Sequence, residues 1–158
     1  CGIEAIMGRI LGLDVGRRRI GAALSDPDGI LASPLGVIER QSAQDGLEQV
    51  CRWVRQHKVE RIVVGYPLRL DGGEGEEAGL VRDWVARLQL RVDIPIELWD
   101  ERLSSAVAER ALLESGMRRE RRRLERDAVA AALILQNYLD ARRAGEPDYQ
   151  TRQSNPFK

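Results

Sequence analysis

The stretch Arg9-Ile-Leu-Gly-Leu-Asp14-Val-Gly16, followed by Arg17-Arg-Arg-Ile-Gly-Ala-Ala-Leu-Ser25, decides the fold of this chain. Its first apolar run, residues 10–15, predicts a strand that is buried on both faces. Gly16 permits a tight bend, so the second apolar run, residues 20–25, is expected to pair antiparallel with the first. A carboxylate inside such a run is costly to desolvate unless a partner such as a divalent cation compensates it. Asp14 therefore indicates a metal or phosphate site, with a turn-capping role as the alternative.

The composition describes one domain of ordinary size. The chain has 158 residues, and its 25 basic and 25 acidic side chains cancel, so net charge alone predicts no nucleic-acid partner. Two cysteines, Cys1 and Cys51, are too few for a disulfide framework and suit a reducing cytoplasm. The sequence contains no run that is long and apolar enough to cross a membrane and no cleavable signal, so we expect a cytoplasmic protein without a membrane partner.

The two ends of the chain are set apart from the domain. Residues 1–6 precede Met7 and are interpreted as a cloning remnant or an upstream extension. Residues 7–144 are predicted to form the single domain. Residues 145–158 are polar and contain Pro147 and Pro156, which is typical of a flexible tail.

Further elements follow the first hairpin. The turn Asp26-Pro-Asp-Gly29 introduces a third strand over residues 29–38. Apolar residues at helical and strand spacing then predict the following order: a helix capped by Ser42 and ending near His57, a strand at 61–65, a helix containing Val81, Trp84, Val85 and Leu88, a strand at 94–99, a helix from Ser104 or Ser105 to about Gly116, and a last helix from about Asp127 to Arg143.

This order of elements predicts an α/β protein with a mixed five-stranded sheet. Strands 1–3 form an antiparallel meander, the later strands are parallel and joined by right-handed crossovers, and helices flank the sheet. Functional sites in such sheets lie beyond the carboxyl ends of the strands. Asp14, Asp100 and Glu101 are all expected at that edge.

Carboxylates dominate the candidate chemistry of this edge. Asp127 is predicted in the first turn of the last helix, where the helix dipole alone could account for it. Together with Asp14, Asp100 and Glu101 it would form an oxygen-only site, which Mg²⁺ or Mn²⁺ prefers and zinc does not. Two such ions about 3.5–4 Å apart can hydrolyse a phosphodiester without a protein nucleophile or a catalytic histidine.

Arginines accompany the carboxylates along the sequence. Arg17, Arg18 and Arg19 occupy the first hairpin, and Arg69 lies in a glycine-containing loop after the fourth strand. The remaining candidates for phosphate contacts are Arg102, Arg118, Arg121, Arg122 and Arg123. Such patches bind nucleic-acid backbones. The alternatives are a solvated charged loop before the last helix and, around Arg69, a plain crossover connection.

The motifs as a set resemble the YqgF/RuvX family. They are Leu11-Gly-Leu-Asp14-Val-Gly16, Ile20-Gly21, Val63-Val-Gly65-Tyr-Pro67-Leu, Asp71-Gly-Gly73, Asp100-Glu101-Arg102-Leu-Ser, Asp127-Ala-Val-Ala-Ala and Ile134-Leu135-Gln136. They occur in family order over about residues 7–140. Members of this family are RNase H-like proteins, described as Holliday-junction-resolvase-like and as candidate nucleases for the 5′ end of pre-16S rRNA.

The resemblance implies an RNase H-like fold and a divalent-metal nuclease that acts on structured RNA or branched DNA. By position, Asp14 would supply the first carboxylate, Glu101 the second with Asp100 as the fallback, and Asp127 the third. Arg102 would contact phosphate or orient Glu101. Related resolvases commonly carry a fourth carboxylate near the last one, and residues 129–135 offer none. Cleavage of a junction would call for a symmetric homodimer, which the sequence itself leaves open.

Two other classes compete with the nuclease. Sugar kinases and actin-type ATPases also carry Asp-x-Gly in their first hairpin, but they need two such domains and this chain supplies one. A nucleic-acid-binding factor for ribosome assembly or transcription, with little or no catalysis, is the stronger alternative, because the absent fourth carboxylate and the arginine-rich segments both permit it.

Overall fold

A computed structural model describes residues 8–40, 46–69, 71–100 and 119–144, with the side chains of the last helix described from Arg126 onward. The described elements are, in chain order, β1 (Arg9–Val15), β2 (Arg19–Ser25), β3 (Ala32–Glu39), α1 (Leu47–Gln56), β4 (Val59–Tyr66), α2 (Glu76–Gln89), β5 (Ile96–Asp100) and α3 (Arg119–Arg143).

The five strands form one mixed sheet in the order β3-β2-β1-β4-β5. β1 pairs antiparallel with β2, and β2 pairs antiparallel with β3, whereas β1–β4 and β4–β5 are parallel. The predicted meander followed by parallel strands is confirmed. Because β1, β4 and β5 run in the same direction, their carboxyl ends meet at one edge of the sheet.

The first hairpin forms as its sequence predicts. Gly16 donates its backbone N–H to the carbonyl of Arg19 at 2.9 Å, which closes the bend. Asp14 then lies opposite Gly21 in the ladder, and Val15 lies opposite Ile20. Directly opposed residues of an antiparallel pair project from the same face of the sheet.

The two faces of the sheet carry separate apolar cores. Leu11, Leu13 and Ile62 pack on one face with buried residues of α1 and α2, among them Trp84. On the other face Ile10, Ala23, Val63 and Trp99 pack against α3 through Ala131, Ile134, Leu135 and Tyr138. The sheet is therefore covered by helices on both sides, which explains why its central strands are apolar throughout.

Two predicted boundaries are wrong. The last helix already includes Arg119, so the arginine-rich residues before Asp127 belong to it, and Asp127 lies at least two turns inside the helix. Residues 119–126 lack an apolar stripe but consist of Arg, Glu and Leu, all of which favour helix. The third strand begins at Ala32 because residues 26–31 form a turn, in which the Asp26 carboxylate accepts hydrogen bonds from the backbone N–H groups of Ile30 and Leu31.

The predicted helix cap at Ser42 is wrong as well, because α1 begins at Leu47 and its N-cap is Gly46. Other predictions lie outside the described residues: the helix from 104 or 105 to 116, the segment 1–6 and the tail 145–158. Within the described helices, none is long and apolar enough to cross a membrane.

Candidate active site

Asp14 lies on the face of the sheet that α3 covers. Side chains alternate along β1, and Ile10 belongs to the core beneath α3. A side chain at Gly12 would begin 2.7 Å from Cβ of Leu135, a residue of α3. Asp14 follows Gly12 by two positions and is half-buried. The carboxylate of Asp14 therefore lies under the part of α3 that precedes Leu135.

Gly21 brings Asp127 to the same place. A Cβ atom built on Gly21 would lie 1.9 Å from the carbonyl oxygen of Asp127 and 2.9 Å from the backbone nitrogen of Ala128. Only glycine permits so close a crossing, because any other side chain would overlap the helix backbone. Since Gly21 is the ladder partner of Asp14, the crossing places Asp127 beside Asp14 although 112 residues separate them along the chain.

Asp127 makes an ion pair with β2. Arg19 donates from Nε to Oδ2 of Asp127 at 2.7 Å, and the two side chains are 35% and 23% exposed. Arg19 precedes Gly21 by two positions and so projects from the same face of the sheet. The α3 face at this edge thus holds two aspartates and one guanidinium.

Asp100 reaches the same edge but belongs to the opposite face. Its partner in the ladder is Tyr66, and it follows Ile96 and Leu98 in alternation. All three of those residues pack with the core under α1 and α2. The side chain of Asp100 is buried, with 2% exposure. Glu101, the preferred second carboxylate, and Arg102 lie outside the described residues.

Arg17, a predicted phosphate contact, is bound to carboxylates of α2. Its guanidinium pairs with Glu76 at 2.8 Å and with Glu77 at 2.9 Å, joining the hairpin to the first turn of the helix. The hydrogen bond to Glu76, and then that to Glu77, raise the pKa of Arg17, and the same contact lowers the pKa of Glu76. Arg18 next to it is exposed.

The loop after β4 has an internal framework. The backbone N–H of Arg69 donates to the carbonyl of Gly73, and the backbone N–H of Gly72 donates to the carbonyl of Arg69. The Arg69 side chain lies 3.5 Å from the Asp71 carboxylate and is 62% exposed. The Tyr66 hydroxyl donates to Glu74, which also pairs with Arg82 at 2.8 Å. Burial, and then this carboxylate, raise the pKa of Tyr66 to about 12, so the phenol stays protonated at neutral pH. These hydrogen bonds and the Glu74–Arg82 ion pair hold both ends of the loop in place.

The remaining predicted arginines are not described as side chains. Arg118 lies outside the described residues, and Arg121, Arg122 and Arg123 belong to α3 without a described side chain. The sequence-based prediction that they contact phosphate stays a prediction.

The donor chemistry of Asp14 and Asp127 suits a hard divalent cation. Carboxylate oxygens are the ligands that Mg²⁺ and Mn²⁺ prefer. Among the described residues, no group of three or more histidine, cysteine, aspartate or glutamate side chains stands close enough to hold a metal ion. The two aspartates therefore offer carboxylate oxygens that fit part of a metal site.

A family model described as "RuvX: Holliday junction resolvase" matches residues 8–141, a span that contains both aspartates, Gly21 and Arg19. The chain belongs to this family. The resemblance drawn from the motifs is confirmed by a match that covers nearly the whole domain.

Two relatives are similar to this chain over nearly their whole length. A protein of Symbiobacterium thermophilum is 48% identical over 140 residues, which make up 89% of this chain and 97% of the relative. A protein of Roseiflexus sp. is 44% identical over 136 residues, 86% of this chain and 96% of the relative. Both carry the name "Putative pre-16S rRNA nuclease".

Solved structures confirm the fold. RuvC of T. thermophilus in complex with a Holliday junction substrate superposes with a TM-score of 0.58 at 15% identity, covering 88% of this chain and 97% of RuvC. A second structure of Thermus thermophilus RuvC gives 0.51 at the same identity. The mixed sheet is therefore the RNase H-like fold that the motifs implied.

Two residues of the candidate site, Gly21 and Arg19, do not follow from the sequence. Gly21 belongs to the Ile20-Gly21 motif, and a glycine inside a strand is a signal of close backbone approach, but the sequence does not show that α3 is the element that crosses it. The sequence places Arg19 only in the run of hairpin arginines with Arg17 and Arg18. No local pattern links it to Asp127, because the two residues are 108 positions apart.

Proposed function

We propose that this member of the RuvX family is a metal-dependent nuclease whose active site is built on Asp14 and Asp127. The observation that carries the proposal is the crossing of α3 over Gly21, which brings both carboxylates to one face at the carboxyl edge of the sheet. The family and the names of the relatives support nuclease chemistry.

In this proposal Asp14, Asp127 and Glu101 hold Mg²⁺ or Mn²⁺. When bound in a pair, such ions activate a water molecule and stabilise the leaving oxygen of a phosphodiester. The role of the protein is to hold the carboxylate oxygens in fixed positions. Asp14 is fixed by the ladder of β1, and Asp127 is fixed by the close packing of α3 on β2.

The position of Asp100 on β5 argues against Asp100 as the third ligand. Asp100 projects with Ile96 and Leu98 toward α1 and α2, away from the face that carries Asp14. Glu101 lies outside the described residues, and we keep it as the proposed third ligand on the Asp100-Glu101-Arg102 motif. We therefore assign Asp100 a structural role beside Tyr66 and keep it only as the fallback ligand.

The proposed substrate is structured RNA or branched DNA. The relatives' name supports action on pre-16S rRNA, for which we propose processing of the 5′ end. The family description together with the RuvC neighbour supports action on Holliday-junction-like DNA. The proposed contacts to phosphate are Arg18, Arg69, Arg102, Arg118, Arg121, Arg122 and Arg123. Arg17 would join them only by leaving Glu76 and Glu77. We propose a cytoplasmic location and, for junction cleavage, a homodimer.

A cleavage assay tests this function. The substrates are a four-way DNA junction, single-stranded RNA and an RNA stem with a 5′ extension, each with Mn²⁺ and with EDTA. We expect wild-type protein to cut at least one substrate only with Mn²⁺. Asp14→Asn and Glu101→Gln should lose cutting while retaining binding, and Asp100→Asn should lose less than Glu101→Gln.

Two results would change the proposal. If Asp14→Asn cuts as fast as wild type, the carboxylate site is wrong. If wild-type protein binds these substrates and cuts none of them, the chain is instead a nucleic-acid-binding factor without catalysis.

A further inference from the structure

We infer that Arg19 is a displaceable counter-ion of Asp127, so that the proposed metal site loads fully only when a substrate phosphate takes the guanidinium. The inference rests on the proposed function and adds a coupling between metal binding and nucleic-acid binding. It gives Arg19 the role of a positioning residue.

The first step is the contact itself. Nε of Arg19 lies 2.7 Å from Oδ2 of Asp127, and the side chains are 35% and 23% exposed. The pair formed by Arg17 and Glu76 is 53% and 79% exposed, so Arg19 and Asp127 are much better shielded from water. Partial burial strengthens an ion pair relative to one on the open surface. Arg19 therefore neutralises Asp127 effectively in the absence of metal.

The second step concerns Asp14. Arg19 lies on the α3 face two residues before Gly21, the ladder partner of Asp14. Diagonal neighbours on one face of an antiparallel pair are roughly 7–8 Å apart, within reach of an arginine side chain. One positive charge thus stands near both carboxylates, and it reduces the repulsion that would otherwise oppose holding them side by side.

The third step is the competition with a metal ion. A divalent cation bound by Asp127 would compete with Arg19 for carboxylate oxygen and would be repelled by the guanidinium nearby. Metal binding is therefore weakened as long as Arg19 stays paired with Asp127. A phosphodiester offers the guanidinium a new partner, because its oxygens match the planar fork of arginine. Movement of Arg19 from Asp127 to phosphate would release the carboxylate.

The consequence is reciprocal coupling. If phosphate binding raises the affinity for metal through Arg19, metal binding must raise the affinity for phosphate by the same factor. The substrate class that operates this device is any nucleic acid that presents a phosphodiester at the α3 face, whatever its bases.

Mn²⁺ affinity in the absence of nucleic acid tests the inference. It is measured by the electron paramagnetic resonance signal of free Mn²⁺ for wild type, Arg19→Gln and Arg82→Gln. Arg82 is the matched control, because it pairs with Glu74 at 2.8 Å with 40% and 30% exposure and lies on α2 across the sheet. We expect Arg19→Gln to bind Mn²⁺ on the order of tenfold more tightly than wild type, and Arg82→Gln to match wild type.

Unchanged or weaker Mn²⁺ binding by folded Arg19→Gln would overturn the inference and leave Arg19 as a support for Asp127. Circular dichroism melting checks the fold, and if Arg19→Gln does not fold, Arg19→Met takes its place with the same expected increase in Mn²⁺ affinity, because methionine keeps an aliphatic side chain and removes the charge. The Asp127→Asn variant distinguishes failure of the proposed function from failure of the counter-ion inference. If Asp127→Asn binds Mn²⁺ as well as wild type, the proposed function itself fails, whereas weaker Mn²⁺ binding by Asp127→Asn without tighter binding by Arg19→Gln overturns only the counter-ion.

Discussion

At the scale of single residues, the candidate site depends on contacts that are distant in sequence. Asp14 could be selected from its own surroundings, because a carboxylate in a buried apolar strand is unusual. Asp127 could not be judged in that way, since an aspartate early in a helix is ordinary. The structure removes that explanation by extending α3 back to Arg119 and by pairing Asp127 with Arg19.

Asp26 offers a prediction about pH at this scale. Its carboxylate accepts backbone hydrogen bonds from Ile30 at 2.7 Å and Leu31 at 3.1 Å, and the first of these is the main cause of its lowered pKa. A lowered pKa in the folded state stabilises the protein above the unfolded value, about 3.9, and the stabilisation disappears as the pH falls through the folded value.

We therefore expect Asp26→Asn to reduce the free energy of unfolding at pH 7 by less than about 1 kcal/mol, since solvent screens this turn. The difference from wild type should shrink toward zero below about pH 4. Urea unfolding at pH 7, 5 and 3 measures it, and a difference that grows on acidification would contradict the account.

At the scale of elements, the strands and α1 and α2 follow from local sequence. Alternating and continuous apolar runs predicted β1, β2 and β4, and the spacing of Val81, Trp84, Val85 and Leu88 predicted α2. The start of α3 could not be predicted from apolar spacing, because Leu124 is the one apolar residue at positions 119–126. The propensity of Arg, Glu and Leu for helix was the signal available there.

The crossing of α3 over the hairpin is the packing between elements that matters most for the site. Gly21→Ala would place Cβ 1.9 Å from the carbonyl oxygen of Asp127, so the helix would have to move away from β2. We expect a decrease of about 1–3 kcal/mol in the free energy of unfolding and a fall in nuclease activity larger than the fall in folded protein explains.

Gly36→Ala is the control for this change. Gly36 lies on β3 of the same sheet, and its Cβ would meet Trp53 at 3.4 Å, an ordinary contact. Thermal unfolding and cleavage rates of the two variants are compared with wild type. Equal stability and activity in Gly21→Ala would show that α3 does not depend on this close approach.

The arginines of α3 carry a prediction of their own. Replacement of Arg121, Arg122 and Arg123 by glutamine should flatten the dependence of nucleic-acid affinity on salt, by roughly 0.9 in the logarithmic slope for each phosphate of duplex DNA that the variant no longer neutralises. Binding is measured by fluorescence anisotropy between low and physiological salt. An unchanged slope would mean that these side chains form a solvated helix surface.

At the scale of the whole molecule, the order of strands predicted where a site would form. The parallel relation of β1, β4 and β5 puts their carboxyl ends at one edge, and the candidate carboxylates at 14 and 100 are both found there. Which face each one occupies could not be predicted without knowing the register of the sheet and the side on which α3 packs. The register and the position of α3 place Asp14 on the face under α3 and Asp100 on the opposite face.

The central claim is that Asp14 and Asp127 belong to one active site. The nuclease activity of Asp127→Asn tests this claim most directly. Asp140→Asn is the matched control, because Asp140 lies on the same helix and contacts Gln136 and Arg143 away from the site. With Mn²⁺ and a substrate that wild-type protein cuts, we predict that cleavage by Asp127→Asn falls by at least about a hundredfold with binding retained, and that Asp140→Asn cuts like wild type. Cleavage by Asp127→Asn at the wild-type rate would contradict the account.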